Sequence, residues 1–127
     1  MNLELEKVSE FHRTAHHPIK ESPVIDDVEM FKARAKFIKE EVEEYLEACR
    51  NNNIVGVADA LSDILYFTYG TVLVHGLQNK MEDIFNEVHN SNMSKFLGNK
   101  GPLFDSTGKV IKGPNYKKPK IKEILEK

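Results

Sequence analysis

From Ile64 to Val74 the chain carries no charged residue, and apolar side chains fall at every helical angle. A helix that is apolar all round is buried on most of its sides. The stretch is shorter than the roughly 18 apolar residues of a membrane span, so the burial must come from protein. Two carboxylates stand at its entrance: Asp63 at the edge of the apolar run and Asp59 one turn earlier on the same face. A carboxylate drawn into such surroundings protonates or finds a cation.

The segment before it, Lys39 to Ala48, is a second helix rich in acid. Residues three and four apart share a helical face, so Glu40 stacks on Glu44 with Glu41 at their flank. Phe31, Ala35, Ile38, Val42, Tyr45 and Cys49 make an apolar stripe on the opposite side, which reads as the core face. Phe37 and Ala48 fall within the acidic arc, whereas Glu43 and Glu47 lie beyond it and read as the solvent face. Glu40, Glu41, Glu44, Asp59 and Asp63 together would repel one another unless cations separate them, and hard oxygen ligands suit Mg²⁺ or Mn²⁺. Two readings need no cation: a solvated acidic face, and a structural pairing of Asp63 with Arg13, Arg34 or Arg50.

At 127 residues the chain reads as one domain, with a helical core over about 3–97 and a basic tail over about 98–127. A formal charge of −2 excludes a broadly basic nucleic-acid binder. The single cysteine, Cys49, forbids an intrachain disulfide and reads as a small buried hydrophobe. The N-terminal residues lack the basic and apolar regions of a signal peptide, so a cytoplasmic, reducing location is expected.

Helix one is expected over Leu3 to about Ala15, with Leu5, Val8 and Phe11 on one side. His12, His16 and His17 have no cysteine or carboxylate at zinc-like spacing and read as a helix end and exposed loop. Asp26 or Asp27 caps helix two, Asn51-Asn52-Asn53 ends it, and Gly76 closes helix three. Helix four is expected over Met81 to Ser94. Four helices with short connections predict an all-α bundle. Such a small bundle hardly covers helix three, which predicts a homodimer or a dimer of dimers. In the tail, Phe104 to Val110 reads as a small hairpin with Gly108 at its turn. Its Ser106-Thr107-Gly108-Lys109 string is not a P-loop, which would need Gly in place of Leu103 and Ser or Thr in place of Val110. Lys112-Gly113-Pro114-Asn115-Tyr116 is a better phosphate-approaching turn, with Tyr116 able to stack on a base, and a disordered basic tail is the alternative.

EEVEE, with Glu40, Glu41 and Glu44, resembles the first motif of the all-α nucleoside triphosphate pyrophosphatases, which include MazG-like and phosphoribosyl-ATP pyrophosphatase-like proteins. Its combination with ADALSDILYFTYGT, EVHNSNMSK and KGPNYKKP makes the resemblance specific over nearly the whole chain. One departure is Ala60, where many relatives carry Glu; Asp59 stands in for it on the same face. The resemblance implies a MazG-like four-helix bundle with a C-terminal extension. It also implies a Mg²⁺-dependent nucleotide pyrophosphohydrolase releasing monophosphate and pyrophosphate. The metal would lie on Glu40, Glu44, Asp59 and Asp63, with Glu41 either a further ligand or the residue that orients and deprotonates water. It makes His12, His89, Asn92, Lys95, Lys112, Asn115 and Tyr116 expected substrate contacts, with a nucleotide as partner and neither membrane nor nucleic-acid polymer. The nearest alternative is phosphoribosyl-ATP cleavage in histidine biosynthesis. A non-enzymatic helical module is another, and a di-iron bundle lacks its Glu-x-x-His pairs here.

Overall fold

A computed structural model describes residues 2–98 and 101–127; Lys100, one of the tail's basic residues, lies outside them. The chain is all-α, with helices α1 (Leu3–Ala15), α2 (Val28–Arg50), α3 (Ile54–Val74), α4 (Met81–Ser94) and a short α5 (Ile121–Leu125). Among the described residues the only strand-like feature is one antiparallel bridge between Phe104 and Val110. It closes the expected hairpin, with Gly108 at φ +85°.

The helices start where the sequence offers side-chain acceptors. Asn2 accepts from Leu5 N at 2.7 Å, Asp27 from Met30 N at 3.1 Å, and Asn53 from Gly56 N at 3.0 Å. Each occupies an otherwise orphaned N–H of a first turn. α1 stops at His16, which adopts the left-handed conformation at φ 58°. Beyond α3, Gly76 sits at φ +68°, and a Cβ there would collide with the Ser22 carbonyl. Glycine is the residue that tolerates both constraints.

The chain forms two compact units, Met1–Asn79 and Lys80–Lys127. In the first, α2 packs along α3, and α1 lies on another side of α3. Arg34 reaches Phe67 and Thr71, Glu41 meets Asp63, and Gly56 packs on Ala48, so α2 and α3 run antiparallel. Leu73, at 0% exposure, is at the centre of this unit with Val8 and Val74. The Pro-containing loop between α1 and α2 is tied to the end of α3. Lys20 N donates to Leu73 O, Val24 N to His75 O, and Gln78 Nε2 to Lys20 O, at 3.0, 3.0 and 2.7 Å. The first two bonds satisfy carbonyls at the C-terminal end of α3, of the kind a helix leaves open, and the third satisfies a carbonyl of the loop.

Four expectations are corrected here. The buried side of α1 is Leu5, Val8, Ser9 and His12, while Phe11 is 49% exposed. His12 is only 2% exposed, so it belongs to the interior and not to an exposed loop. On α2 the face turned to α3 holds Arg34, Phe37, Glu41 and Ala48. The apolar stripe through Ala35, Val42 and Cys49 is instead exposed, Cys49 included. α3 is not buried on most sides: Ile54 and Leu65 are 76% and 57% exposed. Both helices therefore carry more apolar surface than one unit covers.

In the second unit α4 packs with α5 and the tail folds back onto α4. Lys117 N donates to Ser94 Oγ at 2.8 Å, Gly113 N to Lys95 O at 2.9 Å, and Lys120 N to Glu87 Oε1 at 3.0 Å. The described residues of the tail, 101–127, thus pack within their unit, and α4 groups with them.

Candidate metal centre and phosphate-facing turn

α2 and α3 meet at a carboxylate cluster. Glu41, Glu44 and Asp63 each offer an oxygen, and these oxygens lie within 4.8 Å of one another. The antiparallel register produces this arrangement. Glu41 and Glu44 are one turn apart on α2, and Asp63 comes from the facing side of α3. Glu41 is half-buried, and its Oε2 is enclosed without a hydrogen-bond partner. Burial first, then the neighbouring Glu44 and Asp63, raise the Glu41 pKa to about 7. An enclosed, unpaired carboxylate oxygen beside two further carboxylates is what a hard divalent cation would satisfy, so these donors fit Mg²⁺ or Mn²⁺.

Two expected ligands stand elsewhere. Glu40 is exposed and faces Lys36 along its own helix, Nζ to Oε1 at 4.0 Å. Its carboxylate projects about 100° round the helix from that of Glu41, so the cluster takes Glu41 in its place. Asp59 lies one turn before Asp63 and lines an open groove of about 430 Å³ with Glu43, Glu44, Glu47 and Asn53. Glu44 is common to groove and cluster. Glu43 and Glu47, which spacing alone assigns to bulk solvent, belong to this acidic groove.

The other end of the α2–α3 seam holds Arg34, which sequence reasoning passed over except as a partner for Asp63. Its Nε donates to Thr71 Oγ1 at 3.2 Å and its Nη2 to the Phe67 carbonyl at 3.1 Å. Its Cζ lies 5.6 and 5.7 Å from the ring centroids of Phe37 and Phe67. Asp63 is engaged with the glutamates and makes no ion pair with Arg34. Gly70 makes room for the guanidinium, because a Cβ there would strike Arg34 Nη2 and come within 2.9 Å of His12 Nε2. His12 Nδ1 donates to Pro18 O at 3.1 Å, and burial, with Arg34 and His17 nearby, lowers its pKa. This expected substrate contact thus lies among packing groups.

The remaining expected contacts belong to the second unit. The Gly113–Tyr116 turn closes through Tyr116 N to Gly113 O at 3.2 Å. Ser91 Oγ donates to Tyr116 Oη at 3.4 Å, which fixes the ring against α4. Lys112 Nζ sits 4.8 Å from the Tyr116 ring centroid, a cation–π arrangement. Asn115 packs against Gly98, where a Cβ would lie 2.8 Å from its Nδ2. Lys95 is half-buried at the end of α4 and gives its carbonyl to Gly113. The fold therefore brings Lys95, Lys112 and Tyr116 into one locality, while His89 and Asn92 are exposed on α4.

Comparison with known proteins adds two findings. The profile of the phosphoribosyl-ATP pyrophosphohydrolase family matches residues 8–92, a span that includes every carboxylate above and stops before the Gly113–Tyr116 turn. The chain is also 33% identical over 96 residues to an uncharacterized protein of Acanthamoeba polyphaga mimivirus. That match takes 72% of this chain and 38% of the relative, so the chain spans well under half of that protein's length.

Proposed function

The chain belongs to the phosphoribosyl-ATP pyrophosphohydrolase family, hydrolases of phosphoanhydride bonds within the MazG-like all-α superfamily, and from that premise we propose a Mg²⁺-dependent nucleoside triphosphate pyrophosphohydrolase. Its products are the nucleoside monophosphate and pyrophosphate. The observation that carries this reading is the convergence of Glu41, Glu44 and Asp63 around the enclosed, unpaired Glu41 Oε2.

Glu41, Glu44 and Asp63 would hold the cation, with Asp59 completing the set from the adjoining groove. A divalent cation there supplies charge neutralisation of the triphosphate and acidifies water at the site. Glu41 would orient the attacking water and take its proton in the arrangement where Glu44, Asp59 and Asp63 carry the cation. Taken by itself, the second unit offers Lys95 and Lys112 as groups suited to phosphate charge, Tyr116 as a ring suited to stacking on a base, and Asn92 and His89 as polar groups on α4. The pathway through the α-phosphorus follows from the family's pyrophosphohydrolase chemistry.

The family's own description supports a second reading, in which the substrate is phosphoribosyl-ATP. Both substrates present a triphosphate to the same carboxylates and differ at the adenine. Incubation of the protein with Mg²⁺ and each canonical nucleoside triphosphate, or phosphoribosyl-ATP, separates the two. Pyrophosphate released from free nucleotides, abolished by chelator, is the expected result. Orthophosphate and diphosphate as products would overturn attack at the α-phosphorus.

A further inference from the structure

We propose that His12 is an acid-operated latch: its neutral ring holds the start of the α1–α2 loop closed on the first unit, and protonation lets that stretch open. The ring is 2% exposed and sits where α1, α2, α3 and the loop meet. Its Nδ1 donates to Pro18 O at 3.1 Å, in the tautomer that a carbonyl acceptor requires, and His17 N donates to His12 O at 2.8 Å. Two residues beyond Pro18, Lys20 N donates to Leu73 O at 3.0 Å. His12 therefore ties the first residues of the loop from the inside. On the α3 side, His12 Nε2 and Arg34 Nη2 flank one point, the place that a Cβ on Gly70 would take. The bare backbone of Gly70 is what lets imidazole and guanidinium meet.

That meeting is stable only while the ring is uncharged. The charged and titratable groups facing His12 are Arg34 from α2 and His17 from the loop, whose ring stands edge-on at 5.3 Å, whereas α3 presents Gly70. The ion pairs among the described residues are Lys20–Asp26, Lys36–Glu40 and Lys122–Glu126, and none brings a carboxylate to this place. A protonated ring would be a second cation against a buried guanidinium, and like charges withdrawn from water disfavour the charged form. The Pro18 carbonyl favours the charged ring, but burial opposes it more, and Arg34 and His17 add to burial. Arg34 is fixed: Thr71 Oγ1 and the Phe67 carbonyl accept its hydrogens, and its Cζ lies over the Phe37 and Phe67 rings. The imidazole is the member free to leave, since it stands in the last turn of α1 beside a loop. As it turns toward water it takes the Pro18 tie with it, and Lys20 is left with its neutral bonds to Leu73 and Gln78. The later loop has a separate anchor. Val24 N donates to His75 O at 3.0 Å, and Val24 O accepts from His75 Nδ1 at 2.9 Å. That Nδ1 carries its proton in either charge state, so this anchor survives acid and confines the opening to the stretch before it.

Hydrogen exchange of the intact chain tests the latch, read at single amides by NMR in EDTA between about pH 8 and about pH 5 and corrected for intrinsic rates. Exchange at Lys20 should quicken by at least about tenfold at the acid end, while Val24 changes by less than about threefold. The midpoint should coincide with that of the His12 ring, followed by its Cε1–H shift in the same samples. His12→Asn offers Pro18 a side-chain N–H that takes up no proton, and in it the corrected exchange of Lys20 should not depend on pH. Protection of Lys20 that is independent of pH in the wild type overturns the inference. So does equal opening at Lys20 and Val24, which is loss of the whole loop, and so does a midpoint that departs from that of His12. A His12→Asn protein that still opens in acid overturns it as well, since another group then drives the change. The first three readouts use the unaltered protein, so they decide the matter even if the variant does not fold.

Discussion

Glu41 on α2 and Asp63 on α3 place carboxylate oxygens within 4.8 Å of each other, and one oxygen of Glu41 is enclosed with no partner. Folding thus desolvates Glu41 and sets it beside like charges that a cation would relieve, and burial first, then Glu44 and Asp63, push its pKa up to about 7. A like-charge pair held together by two long helices lowers stability when no cation separates it.

The first prediction concerns pH. The folded pKa of Glu41 lies above its unfolded value, so its stabilising contribution is complete in acid below the unfolded pKa. It is lost as pH rises through about 7. In EDTA, wild type should therefore lose stability relative to Glu41→Gln between pH 5 and pH 8, by a few degrees in melting temperature. His12 acts in the opposite sense: its lowered pKa withdraws stability as pH falls through the folded value. Because His12 is present in both proteins, the difference between their melting curves isolates Glu41. A difference independent of pH would show that Glu41 is ionised throughout.

The second prediction separates adjacent glutamates. Glu40 is exposed beside Lys36, and such an i,i+4 pair contributes only about 0.3–0.5 kcal/mol. Glu40→Gln should change kcat/KM less than about threefold, whereas Glu44→Gln should lower it by at least about 100-fold at fixed Mg²⁺. Equal losses in steady-state assays would return Glu40 to the metal centre.

The carboxylate cluster was legible in outline because helical periodicity stacks acids at intervals of three and four. Asp63 and Glu44 follow from that alone. What periodicity leaves open is the rotation of α2, since two of its faces are plausible interiors. One is wholly apolar, through Val42 and Cys49; the other mixes Phe37 and Ala48 with Arg34 and Glu41. The mixed face packs on α3, because Gly70 admits the guanidinium and Thr71 and the Phe67 carbonyl accept its hydrogens. That turn of α2 brings in Glu41 and leaves out Glu40. Hydrophobicity counts cannot anticipate a buried arginine whose partners lie on another helix. The helix ends were legible for the opposite reason: Asp27 and Asn53 act within their own few residues, and the positive φ of Gly76 is likewise a local turn requirement, to which the Ser22 carbonyl adds a contact that sequence does not reveal.

The third prediction tests that packing. Gly70→Ala places a methyl group against Arg34 and His12, an overpacking that should cost about 1–3 kcal/mol. In the Arg34→Met background the same change should cost less than half as much, because the clashing nitrogen is gone. Urea unfolding of the four proteins gives the coupling energy. Additive effects would mean that the guanidinium moves aside freely.

The last prediction joins stability to chemistry at Asp63. Without a cation, Asp63 adds negative charge beside Glu41 and Glu44, and it contributes directly to the raised Glu41 pKa. Asp63→Asn keeps the shape and removes that charge. The cation-free protein should be as stable as wild type or more stable, by about 1 kcal/mol, as when a strained functional site is relaxed. Activity should nevertheless fall by at least about 100-fold, because one ligand of the cation has been weakened. Mg²⁺ should raise the melting temperature of wild type more than that of the variant, since ligand stabilisation follows affinity. If Asp63 served folding through a cationic partner, the signs would reverse. The variant would then be less stable with or without Mg²⁺, and its activity per folded molecule would persist. Arg34, the one buried cation on the facing side of α2, is already held by Thr71 and Phe67, so the first set of signs is the expected one. Melting curves of both proteins in EDTA and in Mg²⁺, read beside pyrophosphate release, distinguish the two.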